Sequence, residues 1–248
     1  MTILLTNDDG IDSPGLTALY KSLSDKYNVW IMAPDGDRSG KSQSITFRDA
    51  IRTTPVSERA FACSGTPADC VAISMLGAIP DEIELVISGI NLGPNLGTDI
   101  IYSGTAAAAR QASLNNCPAI AVSLSTQTHP FNFTDATSFI RENIETLMSL
   151  WNNDHFVNIN IPQRLNKNYS VEITHPSRRI YEDNLVKFVS PANETYYFLN
   201  GTGIASSDLK GEDSSAILNG NISLSPIYLH PVNHREDAMY KSAEYKRW

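Results

Sequence analysis

Two adjacent carboxylates follow the first apolar segment of the chain and carry its clearest chemical signal. The run Ile3–Leu5 predicts a strand covered on both faces, and it leads directly into N-D-D-G at residues 7–10. Neighbouring carboxylates repel each other and lose hydration when buried, unless a cation or another positive partner lies beside them. The alternative is that either aspartate only caps a turn. We favour a metal site that includes Asp8 and Asp9.

A second polar segment follows the strand predicted at Val29–Ala33. It reads D-G-D-R-S-G-K-S over residues 35–42 and resembles a phosphate-binding P-loop. That motif needs a glycine where Asp35 stands, and the residues that follow favour a strand over a helix. We therefore interpret this segment as a polar loop that offers the Ser39 hydroxyl, with a plain surface loop as the alternative.

A Gly- and Asn-rich stretch at residues 88–105 is the third such segment. It contains Asn91 and ends in Ser103-Gly104-Thr105, immediately before an Ala-rich helix. Hydroxyls and unpaired N–H groups at a helix N-terminus suit a phosphate. The structural alternative is a long turn closed by a Ser or Thr cap.

Together these segments predict a site built from oxygen ligands. In an open α/β sheet, ligands bind beyond the carboxyl ends of the strands, where all three segments are expected to lie. Carboxylate, hydroxyl and amide oxygens favour Mg²⁺, Mn²⁺ or Ca²⁺ over zinc. The five histidines lie outside the segments, and their spacing fits no zinc pattern. The predicted ligands are Asp8, Asp9, Ser39 and Asn91.

Composition restricts the class of partner and compartment. The chain has 248 residues, 42% of them hydrophobic, and a net charge of −8, which argues against binding to duplex nucleic acid. We expect no membrane span and no signal peptide, hence a cytoplasmic protein. Its three cysteines lack C-x-x-C spacing and are interpreted as reduced, buried residues.

The order of the predicted elements indicates an α/β fold. Strand and helix patterns alternate over residues 1–165, which predicts a Rossmann-like, mostly parallel sheet flanked by helices. A hairpin is expected to be inserted between Ser44 and Ala62, and a helix to open after Thr66. Residues 166–248 read as a smaller antiparallel module with a tail helix at Arg235–Trp248, suited to oligomerisation. The other helices are expected at Gly15–Lys26, Gly104–Leu114 and Phe139–Trp151, and the other strands at Glu84–Ile90, Ala119–Leu124 and Phe156–Ile161.

These motifs, in this order, resemble the SurE survival-protein family of metal-dependent nucleotidases along essentially the whole chain. The resemblance implies one divalent cation per subunit, Mg²⁺ or Mn²⁺ with Ca²⁺ as a substitute in crystals, held by the four predicted ligands. It also implies that Asn95, Ser103, Gly104 and Thr105 surround the phosphate, and that the chain forms a homodimer or homotetramer through its C-terminal part. The matching stretches are I-L-L-T-N-D-D-G-I-D-S-P-G at 3–15, R-S-G-K-S-Q-S-I-T at 38–46, S-G-T-P-A-D-C-V at 64–71, S-G-I-N-L-G-P-N-L-G-T-D-I-I-Y-S-G-T-A at 88–106 and P-A-I-A-V-S-L at 118–124.

The expected reaction is hydrolysis of nucleoside 5′-monophosphates to nucleoside and phosphate, with 3′-monophosphates and short polyphosphate as further substrates. A metal-activated water is the expected nucleophile, and Asp8 or Asp9 orients it or accepts its proton. A covalent aspartyl-phosphate is the weaker enzymatic route, because the phosphatases that form one need carboxylates two residues apart. The non-enzymatic alternative is an oligomer that binds nucleotide or phosphate without turnover.

Overall fold

A nine-stranded mixed sheet forms the centre of the protein, with helices on both faces. The computed structural model describes residues 1–126, 129–206 and 209–230, together with Ser242. Within these ranges the strand order of the sheet is β3-β4-β2-β1-β5-β6-β7-β11-β8. The strands are β1 Thr2–Thr6, β2 Asn28–Pro34, β3 Thr53–Ser57, β4 Ala60–Cys63, β5 Leu85–Leu92, β6 Ala119–Ser125, β7 His155–Pro162, β8 Val171–Ile173 and β11 Ile222–Tyr228.

Five α-helices are described, and four of them belong to the α/β alternation. They are α1 Pro14–Leu23, α2 Pro67–Ile73, α3 Gly104–Leu114, α4 Thr134–Leu150 and α5 Asp213–Leu218. A π-helical segment, Ser74–Ala78, continues α2, and a 3₁₀ helix, Gly97–Ile101, precedes α3. The predicted Thr66 cap of α2 is confirmed, since its side chain accepts a hydrogen bond from the N–H of Asp69. Helix α4 begins five residues before the predicted Phe139.

The centre of the sheet is parallel and buried, as predicted. Strand β1 pairs in parallel with β2 on one side and with β5 on the other, and β6 and β7 continue the parallel set. One hydrophobic cluster includes α1 and α4, and a second includes α2 and α3. Because the chain moves outward from β1 in both directions, a crevice forms at the carboxyl ends of β1 and β5.

The hairpin predicted between Ser44 and Ala62 is present, although it is shorter and forms part of the main sheet. Strands β3 and β4 pair antiparallel, and β4 also pairs in parallel with β2. Its second strand ends at Cys63, and Ser44–Arg52 contains no strand. The predicted α/β fold class is thus confirmed, with the inserted hairpin forming one edge of the sheet.

The C-terminal part contributes to two sheets. Strand β11 pairs antiparallel with β7 and in parallel with β8, so both complete the main sheet. Strands β9 (Arg179–Val189) and β10 (Thr195–Ser206) form a separate antiparallel hairpin. A domain boundary near residue 165 stays a prediction. The predicted tail helix Arg235–Trp248 lies outside the described residues, apart from Ser242.

Two composition-based expectations can be compared with this fold. All three cysteines are buried and free of disulfides, as expected. Among the described residues, no helix combines the length and the apolar character that a membrane crossing requires.

Candidate active site

The polar segments identified in the sequence meet at the crevice beyond β1 and β5. A cavity of about 480 Å³ opens there, and Asp9, Asp37 and Leu92 lie in its wall. Asp9 follows β1, Asp37 follows β2, and Leu92 ends β5. The crevice therefore collects side chains from three strand ends, as expected for a parallel sheet.

Asp8 is buried and is held by the first turn of α3. Its carboxylate accepts hydrogen bonds from the hydroxyl and the backbone N–H of Thr105. Its backbone carbonyl accepts a hydrogen bond from the N–H of Arg38 at 2.8 Å, which ties the loop after β2 to the same residue. Burial raises the pKa of the Asp8 carboxyl above its usual value, and the bonds from Thr105 offset part of that rise.

Asp9 lies beside Asp8, and one of its oxygen atoms has no partner in the part of the chain that the structure describes. Burial, followed by the negative charge of Asp8, raises the pKa of Asp9 to about 7. The N–H of Leu92 donates a hydrogen bond to this carboxylate. Its Oδ2 atom is buried and has no hydrogen-bond partner among the described residues. Such an atom costs free energy unless a further group contacts it, and a cation would satisfy it.

Ser39 is tied to a third carboxylate that we did not predict. Its hydroxyl donates to Asp37 Oδ1 at 2.6 Å, and its N–H donates to the same oxygen at 2.8 Å. These bonds hold the pKa of Asp37 below its usual value. The negative charge of Asp37 in turn contributes to the raised pKa values of Asp8 and Asp9. Three carboxylates therefore influence one another at this crevice.

Asn91 has an amide whose orientation is fixed by its neighbour. Its Nδ2 donates to the carbonyl of Gly93 at 2.8 Å. Because that nitrogen is engaged, the amide oxygen is the atom available as a metal ligand. The next residue, Leu92, donates to Asp9, so Asn91 lies beside the carboxylate pair along β5.

The donor set fits a hard divalent cation. Within the described ranges, no group of three or more His, Cys, Asp or Glu side chains is arranged to hold a metal ion. A cation bound to Asp8 and Asp9 would therefore need further oxygen ligands, which the Ser39 hydroxyl, the Asn91 amide oxygen and water could supply. Oxygen ligands of mixed charge suit Mg²⁺ and Mn²⁺.

The predicted phosphate residues have structural contacts of their own. Ser103 accepts a hydrogen bond from the N–H of Ala106 at 3.0 Å, so it caps α3. Gly104 is the first residue of α3 and leaves room for the Asp8 carboxylate, since a Cβ there would lie 2.7 Å from Asp8 Cβ. The Thr105 hydroxyl faces Asp8. Phosphate binding by these residues stays a prediction.

Asn95 is held by a polar cluster that the sequence analysis missed. Its N–H donates to Asn160 Oδ1 at 2.8 Å, and its carbonyl accepts from the side chains of Asn158 and Asn160. Its own amide donates to Ser123 Oγ at 2.8 Å. Two asparagines at alternate positions of the apolar strand β7 were the available signal, because both must face the same side of the sheet.

Comparisons with known proteins identify the family that this chain resembles. The sequence profile of the family described as Survival protein SurE matches residues 3–183. A relative named 5′-nucleotidase SurE from Geotalea uraniireducens (strain Rf4) is 36% identical over 261 residues, covering 100% of this chain and 99% of the relative. Another 5′-nucleotidase SurE, from Citrifermentans bemidjiense, is 37% identical over 246 residues, covering 98% and 99%. The crystal structure of the SurE protein from Aquifex aeolicus matches with a TM-score of 0.82 and 30% identity, covering 97% of this chain and 98% of that one.

We predict that Gly104→Ala distorts the contact between α3 and Asp8. The new Cβ would lie 2.7 Å from Asp8 Cβ and 2.9 Å from its Oδ2, which forces either element to move. Helix propensity alone would make alanine more stable by up to about 1 kcal/mol, whereas overpacking costs about 1–3 kcal/mol. Urea denaturation and Mn²⁺ titration should therefore show lower stability and weaker binding. A stabilised variant would show that the contact is not close.

We also predict that Asp9 makes the metal-free protein less stable as the pH rises. The folded state retains a proton up to a pKa of about 7, whereas the unfolded state releases it near the ordinary value of 3.8. The free energy of unfolding should therefore fall between about pH 4 and pH 7. Asp9→Asn should flatten this dependence in EDTA-treated protein, measured by denaturant titration at several pH values. The exposed Asp49→Asn is the control, and an equal slope in Asp9→Asn and wild type would refute the assignment.

Proposed function

The chain belongs to the SurE family, as its motifs predicted, and from that premise we propose that it is a metal-dependent 5′-nucleotidase. It hydrolyses nucleoside 5′-monophosphates to nucleoside and inorganic phosphate, and 3′-monophosphates and short polyphosphate are further candidate substrates. The observation that carries this proposal is the adjacent Asp8–Asp9 pair, with Asp8 buried, Asp9 half-buried and one Asp9 oxygen that has no partner among the described residues. The names of its relatives ascribe 5′-nucleotidase activity to those proteins.

One divalent cation per subunit, Mg²⁺ or Mn²⁺, is held by Asp8, Asp9, Ser39 and Asn91. When bound, it supplies positive charge that polarises phosphoryl oxygens and acidifies water. Its charge also compensates the burial that raises the pKa of both aspartates and the repulsion that Asp8 exerts on Asp9. The two adjacent carboxylates are unfavourable without a counter-charge, and the bound cation supplies that charge.

The two aspartates divide the remaining work. Asp8 is fixed by Thr105 and by its own backbone bond to Arg38, so it serves as a rigid ligand. Asp9 has one oxygen bonded to the N–H of Leu92 and one without a partner among the described residues. Because Asp9 is less buried than Asp8, it orients the water that attacks phosphorus and accepts its proton, and the nucleoside oxygen leaves as a hydroxyl with a proton from solvent.

Helix α3 supports the reaction through its N-terminus. Its first turn, at Gly104 and Thr105, points at the Asp8 side of the crevice. N–H groups at a helix N-terminus carry partial positive charge, which stabilises negative charge developing on a phosphoryl group. Asn95, anchored on β7, lies in the loop between β5 and α3 and contributes its amide to the phosphate.

The β9–β10 hairpin is the proposed oligomer interface. Both of its faces are apolar: Val186 pairs with Phe198 on one face, and Leu185 pairs with Leu199 on the other. These four side chains are 47% to 85% exposed. Monomeric proteins rarely expose so large an apolar patch, and a two-stranded hairpin is marginally stable alone. A second copy of the chain that covers this hairpin would bury its apolar side chains and stabilise its two strands, giving a homodimer or homotetramer.

We predict EDTA-sensitive release of phosphate from AMP or GMP. Asp8→Asn and Asp9→Asn should each lower the rate by about 10²–10⁴-fold, the range for losing a group that positions or deprotonates the nucleophile. The assay is a phosphate-release panel over nucleoside 5′- and 3′-monophosphates and polyphosphate with Mg²⁺, Mn²⁺ or EDTA. The exposed Asp49→Asn is the matched control and should keep wild-type activity. Tight nucleotide binding without phosphate release would instead support a binding protein.

We predict that charging the hairpin dissociates the oligomer. Phe198→Asp combined with Leu199→Lys places charges on both faces, where a partner subunit must bury apolar side chains. Sedimentation velocity should show a monomer, whereas Leu218→Lys, at a leucine of α5 that is 69% exposed, should leave the assembly intact. An unchanged sedimentation coefficient for the double variant would exclude the hairpin as the interface.

A further inference from the structure

The loop that carries Ser39 has no regular secondary structure of its own. We call residues Ser39–Thr46 the serine loop; it runs between β2 and β3. Its first residue is bonded to Asp37, and the preceding Arg38 donates its N–H to Asp8. A loop with few apolar contacts keeps a fixed position only through hydrogen bonds, so its other attachments determine where the Ser39 hydroxyl lies.

The far end of the serine loop is bonded to a buried carboxylate on α2. Asp69 is 1% exposed. Its Oδ1 accepts from the N–H of Thr46 at 2.8 Å, and its Oδ2 accepts from the Thr46 hydroxyl at 2.7 Å. Both donors of one loop residue thus engage both oxygens of one carboxylate. Such paired, charge-assisted bonds define both distance and orientation.

The same carboxylate also belongs to the capping box of α2. Asp69 Oδ2 accepts from the N–H of Thr66 at 2.9 Å, while Thr66 Oγ1 accepts from the N–H of Asp69 at 3.1 Å. The Thr66 hydroxyl donates to the carbonyl of Ser44 at 2.7 Å, a second bond from the cap to the loop. A capping box needs neither contact with the loop. The N-terminal cap of α2 therefore also binds the serine loop.

The backbone beside Asp69 is shaped to admit this arrangement. A Cβ on Gly65 would lie 2.7 Å from both Cβ and Oδ2 of Asp69. The absence of a side chain at residue 65 leaves room for the carboxylate to accept bonds from the loop and the cap together. Ser42 adds a third attachment, since its hydroxyl donates to the carbonyl of Ile101 at 2.7 Å.

We propose that Asp69 and Thr46 form a positioning pair that holds the serine loop in place so that Ser39 can act as a metal ligand. Asp69 acts through Thr46 and not on the substrate. This inference rests on the proposed function, because it assigns the loop to the same metal site. It makes the start of α2 part of the machinery that binds the cation, although α2 contributes no ligand.

The test removes the hydroxyl bond between Thr46 and Asp69 and keeps the helix cap. Thr46→Val preserves the shape of the side chain but deletes the donor to Asp69 Oδ2, and the capping box with Thr66 remains. Thr54→Val, at an exposed position of β3, is the matched control. Thr46→Ser retains the hydroxyl and should restore the wild-type behaviour.

Two measurements on the full-length, metal-free protein decide the outcome. Hydrogen exchange followed by mass spectrometry should show the peptide of residues 39–46 exchanging about fivefold faster in Thr46→Val, and Mn²⁺ titration should show about five- to tenfold weaker binding. The thermal midpoint should change little. Thr54→Val and Thr46→Ser should match the wild type in both.

Failure of this inference differs from failure of the proposed function. Unchanged exchange of residues 39–46 in Thr46→Val overturns the positioning role, whether or not the protein hydrolyses nucleotides. Faster exchange with unchanged Mn²⁺ affinity also overturns it, because the loop would then be held without serving the metal. A wild-type protein that binds Mn²⁺ yet releases no phosphate would refute the nucleotidase proposal and leave the positioning pair intact.

Discussion

Two adjacent carboxylates at the carboxyl end of the central strand β1, one buried and one half-buried, are the constraint on which the rest of this structure depends. Asp8 and Asp9 raise each other's energy, and the low polarity around them raises the pKa of both. Two neighbouring elements place hydrogen-bond donors beside the pair. Thr105 of α3 donates to Asp8, and the N–H of Leu92 in β5 donates to Asp9. Those donors leave Asp9 Oδ2 without a partner among the described residues, and a cation bound there would satisfy it.

Sequence reasoning predicted the local features of this site and the meeting of its three segments, and it missed the individual contacts between distant residues. Apolar runs and caps located most core elements within a few residues, because burial and capping act on neighbours in the chain. The contact between Thr105 and Asp8 spans 97 residues, and that between Asn160 and Asn95 spans 65. Such pairs depend on strand order, which periodicity does not encode. The joining of β11 to the main sheet was missed for the same reason.

Polar contacts at the base of the β9–β10 hairpin connect it to the 3₁₀ helix Gly97–Ile101. Asp99, in the 3₁₀ helix before α3, accepts hydrogen bonds from Arg179 and from the Tyr181 hydroxyl of β9. That 3₁₀ helix also accepts the Ser42 hydroxyl through Ile101. One short helix thus touches the hairpin, the serine loop and the start of α3. A partner subunit that binds the hairpin would therefore contact a strand that is hydrogen-bonded to the 3₁₀ helix before α3.

The asparagines of β7 hold the backbone of the loop between β5 and α3 at residue 95, through bonds that do not involve the side chain at that position. Both backbone groups of Asn95 are bonded to side chains of Asn158 and Asn160, so its main chain is held whatever side chain it carries. A substitution at position 95 would therefore keep these backbone bonds and lose the amide bond to Ser123 Oγ, so its cost falls on the buried side chain and not on the path of the loop.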